Sequence, residues 1–168
     1  MNKCNYNIIL IGMPGSGKST IGRVLAEKLK RVFIDSDAYI EEKKGCSISE
    51  LFTFGEEFFR NIETITLREL LQIQGIVLAT GGGVVKQQEN INLLRKSGLV
   101  IFINRDVENI IKDIDISCRP LISNDIKKIY TLYDERNDLY EKCCHIDINN
   151  NSSIEECIKN IITRIEID

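Results

Sequence analysis

One short stretch limits what this chain can fold into. Gly12-Met13-Pro14-Gly15-Ser16-Gly17-Lys18-Ser19, with Thr20 behind it, satisfies the pattern G-x-x-x-x-G-K-[ST] at every fixed position. Ahead of it lies the apolar, β-branched run Ile8-Ile9-Leu10-Ile11, which reads as a buried strand. Behind it Ile21, Val24, Leu25 and Leu29 recur at helical spacing, so a helix opens where the loop ends. A strand, a glycine loop and a helix in that order form an anion cradle. The glycines let backbone N–H groups converge on a phosphate, and the helix N-terminus adds a positive dipole. Lys18 is placed to reach the β- and γ-phosphates, and the Ser19 hydroxyl to ligate magnesium. The sequence therefore predicts a nucleoside triphosphate site.

At 168 residues the chain is expected to form one domain, able to bury about two-thirds of the surface that its unfolded form exposes. A hydrophobic fraction of 43% and a charged fraction of 28% suit an ordinary globular protein. The net charge of -3 argues against a nucleic-acid partner or a polybasic membrane patch. No run approaches the roughly 18 apolar residues of a membrane span. The first apolar run is short and flows straight into the glycine loop, so no signal peptide is expected and the cytoplasm is the expected compartment. The cysteines are Cys4, Cys46, Cys118, Cys143, Cys144 and Cys157, with no C-x-x-C pair, and His145 is the only histidine. That scatter offers no tetrahedral zinc set, so the thiols read as small core residues.

Along the chain, Val32-Phe33-Ile34 predicts a second strand ending in Asp35-Ser36-Asp37. Carboxylates at the C-terminal end of a strand sit where open α/β sheets place their ligands. On an extended backbone, residues two apart point the same way, so both are expected to face the glycine loop. A helical region from Tyr39 breaks at Gly45 and restarts near Ser47, and a long helix runs from Glu56 to about Gln74. On it Arg60 and Glu63 lie one turn apart, a pair worth little if it is exposed. The third strand, Ile76 to Thr80, ends in Gly81-Gly82-Gly83, which permits close approach of a ligand to the backbone. A helix from about Val84 to Lys96 and a fourth strand, Leu99 to Ile103, follow. From Arg105 to Cys118 the pattern loosens and ends in Arg119-Pro120-Leu121, as expected of a lid. A helix from about Asp125 to Lys142 carries Tyr133, Arg136 and Tyr140 on one face. A fifth strand at His145 to Ile148 and a final helix rich in isoleucine complete the chain. Strands and helices in alternation predict a three-layer α/β/α domain with a five-stranded parallel sheet.

Taken together, these motifs resemble the shikimate kinases, small members of the nucleoside-monophosphate-kinase-like group of phosphate-loop proteins. The likeness rests on the phosphate loop, Asp35-Ser36-Asp37, Phe59-Arg60 with Glu63, the triple glycine, Arg119-Pro120-Leu121 and the Tyr133/Arg136/Tyr140 helix. It implies ATP-dependent phosphorylation of the 3-hydroxyl of shikimate, on the route to chorismate and the aromatic amino acids, with ATP and Mg2+ required. It also implies a core of 1–104 and 122–168, a lid at about 105–121 and a substrate-binding helical region at about 36–63; a monomer is expected. Arg60 and Arg136 would bind the substrate carboxylate, a task suited to guanidinium forks. Asp37 would accept from the hydroxyls and take the proton of the attacking one, and Gly81, Gly82 and Gly83 would complete the pocket. The nucleotide would lie against Gly12, Gly15, Ser16, Gly17, Lys18, Ser19 and Thr20. Asp35 and Ser19 would hold magnesium, and Lys18 and Arg119 would offset charge on the transferred phosphoryl group. Where the family often carries a second lid arginine this chain has Lys112, which keeps the charge and loses the fork. The adenine-side loop, often proline-containing in the family, reads Asn149-Asn150-Asn151-Ser152-Ser153.

Two rivals share part of this pattern. A gluconate or nucleoside monophosphate kinase would have the phosphate loop and the lid arginine, without requiring the paired aspartates, Arg60 and the triple glycine together. A nucleotide-dependent regulatory binder of the GTPase type would need a guanine-reading Asn/Thr-Lys-x-Asp stretch, which is not found in the sequence.

Overall fold

The computed structural model describes residues 6–113 and 126–167. The β-branched run after the N-terminus becomes β1, Asn7–Ile11, whose four residues Ile8 to Ile11 are wholly buried. The phosphate loop leads from it into α1, Lys18–Leu29. Next come β2, Phe33–Asp35; α2, Ser36–Lys44; α3, Ile48–Phe52; and α4, Glu56–Leu70. The central part holds β3, Val77–Ala79; a single 3-10 turn, Val84–Lys86; α5, Gln88–Ser97; and β4, Gly98–Asn104. The chain ends with α6, Val107–Asp113; α7, Ile126–Cys143; β5, Ile146–Asn149; and α8, Ile154–Ile167.

The strands lie in the order β2-β3-β1-β4-β5 and every pair is parallel. Because side chains alternate along a strand, the sheet has two apolar faces and needs helices on both. Ile9 and Ile11 of β1, with Val100 and Phe102 of β4, pack against α4, α5, α6 and α7. Ile8 and Leu10, with Ile101 and Ile103, pack against Ile21 and Leu25 of α1 and Cys157, Ile158 and Ile161 of α8. A smaller cluster of Ile40, Leu51, Phe59 and Ile62 ties α2, α3 and α4 together beyond the sheet. The strand order reverses direction at β1, whose C-terminal end carries the phosphate loop, and such a switch point is where parallel sheets hold ligands. No helix among the described residues is long and apolar enough to cross a membrane.

Three segments depart from the sequence expectation. α4 ends at Leu70, short of Gln74, because the chain tightens there: Gln72 and Ile73 donate to the carbonyls three residues back. Asn7 then takes hold, donating to the Ile73 carbonyl at 2.8 Å and accepting from the Ile76 N–H at 3.1 Å. The expected helix from Val84 to Lys96 is divided, because Gln87 is extended between the 3-10 turn and α5. The stretch read as loose after Arg105 forms α6, whose Val107 and Ile110 are buried one turn apart. Arg119, Pro120 and Leu121, with the rest of the expected lid from position 114 onward, lie outside the described residues.

Candidate active site

The phosphate loop owes its curl to residues with no side chain to clash. Gly12, Gly15 and Gly17 all have positive φ, and Gly17, at 97°, is the cap from which α1 starts. Ser16 is wholly buried in the loop. Lys18 is 8% exposed and donates to the carbonyls of Gly12 and Met13, each at 2.8 Å, so its ammonium lies folded over the loop. Thr20 is exposed in the first turn of α1.

The two aspartates at the end of β2 meet different partners, because α2 starts between them. Asp35 is the cap of α2: its Oδ1 accepts from the N–H groups of Asp37 and Ala38 at 3.0 and 3.3 Å. Its Oδ2 accepts from the Ser19 hydroxyl at 2.5 Å. One carboxylate thus both caps a helix and addresses the phosphate loop. Asp37, one helical step on, turns toward the glycine run. A Cβ built on Gly81 would stand 2.7 Å from Asp37 Oδ1 and 3.1 Å from Glu63 Oε1. A methyl group there would force the Asp37 carboxylate to shift.

Arg60 and Glu63 are not the exposed pair that helix spacing alone suggests. Their side chains are 7% and 1% exposed, with Arg60 Nη1 donating to Glu63 Oε2 at 2.9 Å. Glu56 Oε1 accepts from Arg60 Nη2 at 3.2 Å and from Lys86 at 2.5 Å, so Arg60 is held from two sides. The rings of Phe52 and Phe59 flank its guanidinium at 5.7 and 5.2 Å. A methyl at Gly83 would collide with that guanidinium. Burial pushes the Glu63 carboxyl up to about 7, against the opposing pull of Arg60 and Arg136 and with the help of Asp37.

α7 delivers the remaining groups from the far end of the chain. Arg136 is 8% exposed, and its Nε has no hydrogen-bond partner among the described residues. Its charge acts on both Glu63 and Tyr140, so it belongs to the same cluster as Arg60. Tyr140, wholly buried and stacked on Phe102 at 5.1 Å, donates its hydroxyl to the Gly82 carbonyl at 2.5 Å. Burial raises that phenol to about 12, so it stays a donor. Helix spacing had put Tyr140 beside Arg136 without giving it a task. Lys112 is exposed in the last turn of α6. No group of three or more His, Cys, Asp or Glu able to hold a metal occurs among the described residues.

The structure therefore brings Asp37, Arg60, Glu63 and Arg136 together around Gly81-Gly82-Gly83, with Ser19 and Asp35 beside Lys18 at the phosphate loop. Cations and acceptors at one place next to a triphosphate cradle suit an anionic, hydroxylated small molecule. The model of the shikimate kinase family matches residues 14–166. A shikimate kinase of Clostridium botulinum (strain Eklund 17B / Type B) is 53% identical over 154 residues, 92% of this chain and 93% of that one. The solved shikimate kinase of Acinetobacter baumannii in complex with shikimate is 37% identical with a TM-score of 0.91, covering 96% of this chain and 93% of its own. A gluconokinase from Sinorhizobium meliloti, at 14% identity, TM-score 0.67 and coverage of 96% and 91%, shares the fold alone. With the match running from the phosphate loop into the last helix, and identity above half to a curated relative of the same length, this chain belongs to the shikimate kinase family.

Proposed function

We propose that this protein transfers the γ-phosphoryl group of ATP to the 3-hydroxyl of shikimate, giving shikimate 3-phosphate and ADP, a step in aromatic amino acid biosynthesis. The observation that carries the reading is the meeting of Arg60, Arg136 and Asp37 around the glycine run, within one cluster that also includes buried Glu63. Arg60, already oriented by Glu63 and Glu56, binds the substrate carboxylate together with Arg136. Asp37 accepts from the hydroxyls and takes the proton of the attacking oxygen as the new P–O bond forms and ADP leaves. Gly81, Gly82 and Gly83 bring the acceptor close to the backbone. Phosphoryl transfer of this kind needs placement and charge compensation more than covalent chemistry. Lys18 and the lid's Arg119 supply part of that compensation.

The Ser19 hydroxyl and the Asp35 carboxylate, 2.5 Å apart, are a hard oxygen pair of the sort that suits magnesium. They fit an ion that takes its remaining ligands from water and phosphate, and they would hold it there. When bound, the ion would offset negative charge on the phosphates. Asp35 is kept in place for this by its two hydrogen bonds at the start of α2.

The deciding measurement is ADP release with ATP-magnesium and each of shikimate, gluconate and AMP as acceptor. Turnover with shikimate alone is expected. Turnover with either of the others while shikimate stays inert would overturn the assignment.

A further inference from the structure

The turn after β5 is the expected adenine-side loop, yet one of its side chains is buried against the phosphate loop instead. Asn150 is 5% exposed, between the half-buried Asn151 and the exposed Asn149. Its Nδ2 donates to the Ser16 carbonyl at 2.8 Å, across 134 residues of sequence, and stands 3.0 Å from where a Cβ on Gly17 would lie. The turn that carries it is seated from several directions. The Asn150 N–H donates to the Asn104 carbonyl at 2.7 Å. Asn151 Oδ1 accepts from the N–H of Asp106 at 2.8 Å and from Asn109 Nδ2 at 3.1 Å, at the start of α6. Asn149 Oδ1 accepts from the Asn151 N–H at 3.0 Å. The amide of Asn150 is thus a fixed strut and not an adaptable surface group.

What the strut holds is a peptide unit. In a trans peptide the carbonyl and the following N–H lie in one plane and point in opposite directions. Fixing the Ser16 carbonyl on Asn150 therefore sends the Gly17 N–H the other way, away from Asn150. With glycine at φ 97° on one flank, that peptide has an unusually free choice of orientation. We infer that Asn150 is a positioning residue for the nucleotide half of the site, holding the Ser16–Gly17 peptide in its anion-binding orientation. The inference rests on the ATP-binding part of the proposed function and not on the identity of the acceptor.

The test titrates magnesium-ADP, and separately shikimate, into the wild-type protein, Asn150→Asp and Asn150→Ala by calorimetry. Asn150→Asp keeps the shape and sets an acceptor against the carbonyl; Asn150→Ala removes the donor without adding charge. Both are expected to weaken ADP about five- to tenfold, the usual scale of one net hydrogen bond, and to leave shikimate affinity unchanged. A loss confined to Asn150→Asp would be a charge effect on the phosphates and would overturn the inference. So would an equal loss for both ligands, which would make Asn150 a support of the fold only. A wild-type protein that binds ADP without phosphorylating shikimate would sink the proposed reaction and leave this comparison intact. One that binds no ADP would overturn both.

Discussion

Glu63 is the residue whose behaviour is set most strongly by its surroundings. Its folded-state pKa of about 7 lies above the ordinary 4.5, so the native protein holds that proton more tightly than the unfolded chain does. The resulting stability is present in full below about pH 4.5 and is lost as pH rises through 7, a span on the order of 3 kcal/mol. Urea midpoints at pH 5 and pH 8 check this. The stability of the wild type relative to Glu63→Gln is expected to fall between the two, and a constant difference would mean that the carboxyl is ionised throughout. Two further substitutions test the proposed roles. Arg136→Ala removes one of two cations from the substrate carboxylate, so KM for shikimate should rise about 10- to 100-fold, the scale of a lost charged hydrogen bond. KM for ATP should hardly move; equal effects would place Arg136 with the nucleotide. Asp37→Asn keeps the shape and loses the base, so kcat should fall at least about a hundredfold with ADP affinity retained.

Among the elements, the glycine run is the most exposed to change. Gly83 has φ -95° and ψ 2°, a backbone that alanine adopts freely, so the constraint there is space and not conformation. A methyl at that position meets Arg60, which Glu63 and Glu56 keep from moving aside. Gly83→Ala is therefore expected to lower Tm and to lose most of the shikimate affinity, since the methyl is admitted only by pushing Arg60 off Glu63 and Glu56. Retained affinity would show that Arg60 can bind its ligand from another pose. At this scale the chain's periodicity was a good guide wherever an element is long and one-sided. α8 with its isoleucine stripe and β1 with its buried run appear where expected. It was a poor guide at α6, where the apolar positions are few and lie among charges, and at the 3-10 turn, where Gln87 breaks what reads as one helix. The strand alternation behind the expectation for Asp35 and Asp37 stops at Asp35, because Ser36 is already helical.

For the whole molecule, ligands that bind only the native state must stabilise it. Magnesium-ADP at a hundredfold excess over its Kd should add about 2.7 kcal/mol. At about 2–4 °C per kcal/mol for a chain of this size, Tm should rise by roughly 5–10 °C. Lys18→Ala should abolish most of that shift, and a full shift in the variant would remove Lys18 from the site. By itself the sequence determined the phosphate loop, the alternation of strand and helix and the family pattern, because each is written in neighbouring residues or in a short period. Only the tertiary structure decided that Arg60 and Glu63 are buried, that Tyr140 seats Gly82 from 58 residues away, and that Asn150 holds Ser16 across 134. Those contacts depend on which helices the two faces of the parallel sheet bring to the end of β1. Such stacking follows from packing over the whole chain, and no local spacing records it.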